Sequence, residues 1–212
     1  ELRKMPEVMK RIELCRQDRL SGAEDRQKLA LTPSLFRETK NPDTAIVVPR
    51  HSSENRKYIP FGFIGKEMIL TDAAMCIPNA SVFDFGVLES NVHMAWVRAV
   101  CGRIKSDYRY SKDIVYNNFP WPAPTDEQRK KIEQTAQAIL DARALYPDCS
   151  LADLYDEVTM PPELRKAHRA APRYRAHPPD PRYRQRPDRL RPRLRCQERR
   201  CVLPGEERSR VR

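Results

Sequence analysis

Residues 88–112 read LESNVHMAWVRAVCGRIKSDYRYSK, and the period of the apolar residues changes within this stretch. From Leu88 to Val100, apolar residues recur three and four positions apart, which predicts one face of an amphipathic helix. Gly102 stands where a left-handed C-terminal cap would end that helix. From Arg103 onward charged and apolar residues alternate, which is typical of an extended segment with one solvated face. The stretch therefore predicts a helix followed by a strand, and together with the elements predicted along the rest of the chain it gives an α+β fold.

Short strands are predicted on the N-terminal side of this helix, because apolar runs there are bounded by Gly, Pro and Asn. The runs are 45–49, 58–64, 68–71, 75–77 and 82–85. A helical pattern over residues 1–20 precedes them. The chain opens without Met and inside this pattern, so we expect the helix to lead in from a missing upstream domain. These elements predict a mixed or antiparallel sheet with packed helices over residues 1–122.

Helical patterns return on the C-terminal side. Thr125 and Gln128 form a capping box, and Ile132, Ala136 and Ile139 continue as an apolar stripe. Shorter helical pieces are predicted over 151–155 and Pro162–Ala170, the second one starting with a proline. Residues 123–170 are therefore predicted to be a small helical domain.

The last 42 residues, 171–212, have a different composition. They hold 14 Arg, 7 Pro and no Lys, with 5 Asp and Glu, which gives a net charge of +9 out of the total +11. Too few apolar residues remain to offset the entropy of ordering, so we predict a disordered tail. It is interpreted either as an arginine-rich nucleic-acid tail or as a GC-rich gene translated out of frame. The basic charge is not evidence of DNA binding by the folded part.

The sequence predicts no catalytic, cofactor or metal site. It has no Gly-rich phosphate loop, no GxSxG and no HExxH motif, and its six cysteines include no CxxC. Glu89 and His93, four residues apart on the predicted helix, are interpreted as a solvated or capping pair. No apolar run is long enough for a membrane span, so we expect no membrane partner and a cytoplasmic location.

The alternation after Gly102 is the best candidate for a binding site. Alternate side chains of an extended segment point the same way. One face would then carry four charged residues, Arg103, Lys105, Asp107 and Arg109, while Ile104 and Tyr108 face the core. Cations together with one acid suit the reading of base edges, since Arg and Lys donate to guanine and Asp accepts from cytosine. The alternative is a solvated sheet edge with mutually screened charges.

A second polar cluster, residues 50–57, joins two of the predicted strands. Its hydroxyl, amide and guanidinium groups are those that phosphate and groove contacts use. Any exposed loop contains the same groups, so by itself this cluster is weak evidence.

Residues 109–122, RYSKDIVYNNFPWP, closely resemble a hallmark of the MmeI-like (Type IIL) restriction–modification enzymes. Further stretches resemble the same family in the same order: VPRHSSENRKYIP at 48–60, HMAWVR at 93–98, LDAR at 140–143 and PPELRKAH at 161–168. The resemblance covers roughly residues 1–170. It stops where the family would continue a helix, which favours the out-of-frame explanation of the tail.

The resemblance implies a polypeptide with a nuclease, an S-adenosylmethionine-dependent adenine methyltransferase, a target recognition domain and a helical C-terminus. This chain would hold the last two parts. We therefore expect double-stranded DNA and the missing methyltransferase domain as partners, no catalysis by this fragment alone, and S-adenosylmethionine and Mg2+ only in the parent enzyme.

The resemblance also assigns base reading to particular positions. Lys105 and Asp107 match the family's specificity pair, with Arg109 two places further on. Asp72 and Ala73 match a second reading position. The polar loop supplies the remaining candidates, Arg50, Ser52, Ser53 and Arg56. The alternative function is a non-catalytic remnant that binds nucleic acid without sequence preference through its Arg-rich tail.

Overall fold

The computed structural model describes residues 4–36 and 42–171, and the chain divides into two compact units, residues 1–41 and residues 42 onward. The first unit contains α1 (Pro6–Leu20), α2 (Glu24–Gln27) and a 3-10 helix (Lys28–Leu31). Pro6 occupies the first turn of α1, where its missing N–H costs nothing. The predicted helix over 1–20 is confirmed from Pro6 onward, while residues 1–3 lie outside the described residues.

The first unit has little apolar core. Among residues 4–36 only Ala30 is buried, and Leu31 is 88% exposed. Hydrogen bonds replace the core in part, because the Arg19 guanidinium donates to three backbone carbonyls at 2.8 Å. These belong to Leu29, Thr32 and Leu35.

The second unit begins with an antiparallel sheet in the order β3-β1-β4. Its strands are β1 (Thr44–Pro49), β3 (Gly62–Gly65) and β4 (Ala74–Pro78). Central β1 is the most buried of them, as its apolar sequence predicts, and Ala45, Ile46 and Val48 are fully enclosed.

A second antiparallel sheet has the order β2-β6-β5. It is built from β2 (His51–Ser52), β5 (Gly102–Ile104) and β6 (Asp107–Arg109). Only Arg50 separates β1 from β2, so the chain passes from the first sheet to the second at this residue. The fold class, α+β with an antiparallel sheet and packed helices, is confirmed.

Two of the predicted strands are wrong. Residues 82–85 belong to α3 (Val82–Leu88), which begins with a capping box between Ser81 and Asp84. A short apolar run cannot be assigned to strand or helix from its period alone, and here the cap decides. Residues 68–71 form no strand.

The helix predicted from Leu88 onward is broken at Glu89 and resumes as α4 (Asn91–Val100), with Ser90 as its N-cap. The buried face of α4 is His93, Met94 and Val97, whereas Ala95 and Ala99, assigned to the apolar stripe, are exposed. The predicted left-handed cap at Gly102 is also wrong. Cys101 is already extended and Gly102 begins β5.

The C-terminal helices follow a π-helical turn, Lys112–Tyr116. They are α5 (Asp126–Ala144), α6 (Leu151–Leu154) and α7 (Pro162–Ala170). The predicted capping box of α5 and its buried stripe are both confirmed. Helix α3 lies close against α5 at Gly86, where a Cβ atom would stand 2.8 Å from Cγ2 of Ile132.

In the described ranges no helix is long and apolar enough to cross a membrane. Residues 172–212 lie outside those ranges, so the predicted disorder of the tail stays a prediction, as does the domain boundary near residue 122.

Candidate nucleic-acid interface

The backbone of Arg50 connects the three segments that are predicted from the sequence to read bases. Its N–H donates to the carbonyl of Ala73 at 3.0 Å, and its carbonyl accepts from the N–H of Tyr110 at 2.8 Å. In the next residues, β2 pairs with β6. The polar loop, the turn that contains Asp72 and Ala73, and the segment around Asp107 are therefore neighbours.

The segment from Arg103 to Arg109 is a hairpin and not one continuous strand. Lys105 and Ser106 form its two-residue turn, and Lys105 has a φ of 54°. Two-residue hairpin turns use positive φ because it matches the twist of the strands. The prediction of one extended face is wrong here, since the turn resets the alternation of side chains.

Directly opposed residues of an antiparallel pair place their side chains on the same face. The register opposes Arg109 to both His51 and Gly102, and opposes Asp107 to Ile104. We call this surface the hairpin face: His51, Gly102, Ile104, Asp107 and Arg109. All five residues are exposed. Asp107 and Arg109 share a face as predicted, whereas Ile104 lies outside at 43% exposure instead of facing the core.

The opposite face of the hairpin sheet carries Ser52, Arg103 and Tyr108. The Arg103 guanidinium lies 4.0 Å from the centre of the Tyr108 ring and donates to the carbonyl of Ser106 at 2.7 Å. Arg103 therefore does not share a face with Asp107 and Arg109, and that prediction is wrong. Ser52 is only 4% exposed, so its hydroxyl is directed away from the hairpin face.

The polar loop holds Asp107 in place. The backbone N–H of Glu54 donates to Oδ1 of Asp107 at 3.2 Å. Ser53 makes local turn contacts, in which its hydroxyl accepts from the N–H of Asn55 and its carbonyl accepts from the N–H of Arg56. Asp107 is thus an exposed carboxylate whose position is set by the backbone of another segment.

The remaining candidates surround the hairpin face. Lys105, at the tip of the hairpin, and Asp72 and Ala73, in the neighbouring turn, are exposed. Arg50, Ser53 and Arg56 are half-buried. His51 lies within the predicted polar cluster 50–57 but is not singled out by the sequence, because a strand of two residues gives no period from which its face could be predicted.

A buried polar network lies within the same unit: Glu89, Arg143, Tyr155 and His168. Arg143 donates to Oε1 of Glu89 at 2.6 Å, to the carbonyl of Phe61 at 2.7 Å and to the Tyr155 hydroxyl. The Tyr155 hydroxyl lies 2.8 Å from Nε2 of His168. The network joins α3 to all three C-terminal helices.

Burial sets the protonation of this network. Loss of hydration raises the pKa of Glu89 to about 7, and the Arg143 charge opposes that rise. Burial, with Arg143 next to it, lowers the pKa of His168 to about 3. His168 is therefore neutral at pH 7. Because the Arg143 guanidinium donates to the Tyr155 oxygen, the hydroxyl proton of Tyr155 is left to donate to Nε2 of His168.

A second buried histidine, His93, lies on α4. Nδ1 donates to the carbonyl of Leu88 at 2.8 Å, and Nε2 accepts from the hydroxyl of Tyr110 at 2.9 Å. Burial lowers its pKa to about 4. Glu89 and His93 are thus two buried groups with separate partners, so the interpretation as a solvated or capping pair is wrong.

These two histidines support the ends of the candidate reading segments. Tyr110, the partner of His93, follows β6 directly. Tyr58, which follows the polar loop, stacks on His168 with ring centres 4.0 Å apart. A rigid aromatic anchor therefore terminates both the hairpin and the loop.

Comparison with known proteins agrees with this architecture. A family model described as MmeI, target recognition domain, matches residues 1–123, and a second, MmeI, C-terminal domain, matches residues 124–174. The chain belongs to the MmeI target recognition domain family. The resemblance read from the sequence is thereby confirmed.

DNA methyltransferase A of Bacillus subtilis (strain 168) is 41% identical over 170 residues, which cover 79% of this chain and 19% of that protein. A solved structure of the Type IIL restriction–modification enzyme MmeI in complex with DNA is 45% identical. The match has a TM-score of 0.70 and covers 80% of this chain and 23% of the MmeI chain. The chain thus spans about a fifth of the length of both relatives.

Proposed function

We propose that this chain reads the sequence of double-stranded DNA for a restriction–modification enzyme that methylates adenine and cleaves DNA. The observation that carries the proposal is the meeting of the three candidate segments on one exposed surface. Arg50 joins them through its backbone, and the MmeI relative was solved with DNA. The hairpin face, with Lys105 at its tip, is the surface that we assign to the DNA groove.

The hairpin face carries the donors and acceptors that base reading requires. Asp107 and Arg109 are two positions apart on one strand, a spacing of roughly 7 Å. Arginine donates to O6 and N7 of guanine, and a carboxylate accepts from the cytosine amino group. Lys105 and Asp107 together suit a guanine on one strand and its paired cytosine on the other.

The backbone geometry of the hairpin also favours a role in recognition. A lysine at a φ of 54° occupies a conformation that glycine adopts at lower cost. Non-glycine residues held in such conformations cluster at binding sites. The fold therefore does not require a lysine at position 105. A hydrogen bond from this position to a base edge does require the lysine side chain.

Catalysis belongs, in this proposal, to the rest of the parent enzyme. The upstream methyltransferase domain would bind S-adenosylmethionine, and the nuclease would use Mg2+. The contribution of this chain is to place the target sequence relative to those domains.

The Arg-rich tail supports a second candidate function, nucleic-acid binding without sequence preference. Residues 171–212 have a net charge of +9, against +2 for the other 170 residues. Binding through the tail would weaken steeply with salt, because each neutralised phosphate releases counterions.

Selection from a pool of random duplexes tests the proposal. We expect the 212-residue chain, and a chain that ends at Ala171, to enrich the same short sequence. An Arg109→Ala variant should lose the enrichment, whereas Lys131→Ala, an exposed change on α5, should keep it. Enrichment of no sequence by any form, or binding that disappears with the tail, would contradict the proposal and favour the second candidate.

A further inference from the structure

Gly102 is the feature of the hairpin face that internal packing does not explain. It lies on edge strand β5 beside Arg109, which in turn lies beside His51. A Cβ atom built at Gly102 meets nothing within 4 Å among the described residues, and its φ is outside the left-handed region. Neither space nor backbone conformation in that part of the chain calls for a glycine.

Glycine in a strand has a cost. It weakens a strand by roughly 0.5–1 kcal/mol relative to alanine, because more backbone entropy is lost on folding. At two other described glycines, Gly86 and Gly62, the missing side chain has a visible reason. At Gly86 a Cβ atom would come within 2.9 Å of the Ala136 Cβ, and at Gly62 it would come within 2.9 Å of Leu151 Cδ1.

In this hairpin a lysine and a glycine each occupy the kind of position that usually holds the other residue type. Lys105 has the positive φ that suits glycine, and Gly102 has the ordinary φ and open space that suit any side chain. Both departures lie on or beside the hairpin face. A glycine in a strand can mark a position that a ligand or another backbone approaches closely.

We propose that Gly102 is a close-approach position, where the missing side chain lets duplex DNA lie against β5 beside Arg109. This inference rests on the proposed function. The neighbours favour DNA as the occupant, because Arg109 and His51 can donate to phosphates or base edges and both are exposed. A side chain at position 102 would hold the duplex away from Arg109.

The experiment measures DNA affinity and thermal stability for a graded series, Gly102→Ala and Gly102→Val. Gly65→Ala and Gly65→Val are the matched controls, because Gly65 is an exposed strand glycine on the other sheet with a Cβ position 4.0 Å from the nearest atom. The probe is the duplex that the wild-type chain enriches from the random pool, labelled for fluorescence anisotropy.

We expect affinity to fall with side-chain size at position 102, by about tenfold for valine, as overpacking of a fitted contact does. The midpoint of unfolding should stay level or rise. The Gly65 variants should bind like the wild-type chain. Equal loss for both glycines, or a Gly102→Val variant that binds as tightly as the wild-type chain, would overturn the inference.

Two further results separate the causes of failure. A wild-type chain that enriches no duplex overturns the proposed function and this inference with it. Specific binding by the wild-type chain that is unchanged in both Gly102 variants overturns this inference alone. If the valine variant unfolds early, the alanine variant decides: weaker binding at an unchanged unfolding midpoint supports the inference, and unchanged binding overturns it.

Discussion

The hairpin face and the buried network use similar charged groups in different surroundings. On the hairpin face Asp107 and Arg109 are exposed, and water screens them. In the buried network the Glu89 side chain is 0% exposed and the Arg143 side chain 9%, with 2.6 Å between their bonded atoms. The surface charges can be exchanged without opening the core, whereas the buried ones cannot. Substitutions on the hairpin face are therefore expected to leave the fold intact, whereas substitutions in the buried network are not.

The largest expected effect follows removal of Arg143. An Arg143→Met variant removes the donor to Glu89, to the carbonyl of Phe61 and to the Tyr155 hydroxyl, and each buried acceptor left without a partner costs about 1–3 kcal/mol. Urea unfolding should show a far lower midpoint. Lys131→Met, an exposed change on the same helix, should unfold like the wild-type chain, and similar midpoints for both variants would contradict the role given to the network.

Acid should weaken the fold through the two buried histidines. Burial lowers the pKa to about 4 for His93 and to about 3 for His168. Below pH 6.5 the unfolded chain therefore binds protons at these histidines that the folded chain does not bind. Glu89, whose pKa is raised to about 7, acts in the opposite sense between pH 4.5 and 7. The net effect is a loss of about 1.4 kcal/mol per pH unit from pH 6.5 down to 4.5.

Urea unfolding as a function of pH measures this slope. Glu89→Gln should steepen the slope between pH 4.5 and 6.5, because the opposing group is gone. His168→Gln should flatten it. A slope that neither change alters would show that these groups do not control acid stability.

Gly86 in the core and Gly102 on the hairpin face test the difference between buried and exposed positions with a smaller expected effect. Gly86→Ala places a Cβ atom 2.8 Å from Ile132 and should lower the free energy of unfolding by about 1–3 kcal/mol. Gly102→Ala meets open space and should be neutral or stabilising by less than about 1 kcal/mol. Thermal unfolding of the pair tests this, and equal destabilisation would remove the distinction between the two regions.

The smallest effect on stability is expected at the hairpin tip. Lys105→Gly removes a charge but suits the positive φ, so the free energy of unfolding should change by no more than about 0.5 kcal/mol. The same variant should bind its selected duplex less tightly. A clear loss of stability would mean that Lys105 serves the fold after all.

Elements specified by neighbouring residues could be predicted from the sequence. Three such signals each involve residues only a few positions apart, and all three are confirmed. They are the capping box of α5, the proline that starts α7 and the apolar run of β1. The family resemblance added the assignment of the domain as a whole, which is also confirmed.

The hairpin could not be predicted, because its turn is Lys105-Ser106 and contains neither Gly nor Asn. Without that turn signal the alternation of charges predicts a single strand, which puts Arg103 on the wrong face. The buried network was equally hidden. Arg143 is hydrogen-bonded to Glu89, 54 residues away, and no local pattern marks a helical arginine as buried.

The contact of the nominated residues with bases stays a prediction, and one measurement tests it most directly. The chain would be joined to a methyltransferase domain of its family, and methylated sites would be mapped for the wild-type enzyme and a Lys105→Glu, Asp107→Arg variant. Reversal of the donor and acceptor should exchange one base pair of the methylated site and leave the others unchanged. An active variant that methylates the wild-type site would contradict base reading by the hairpin.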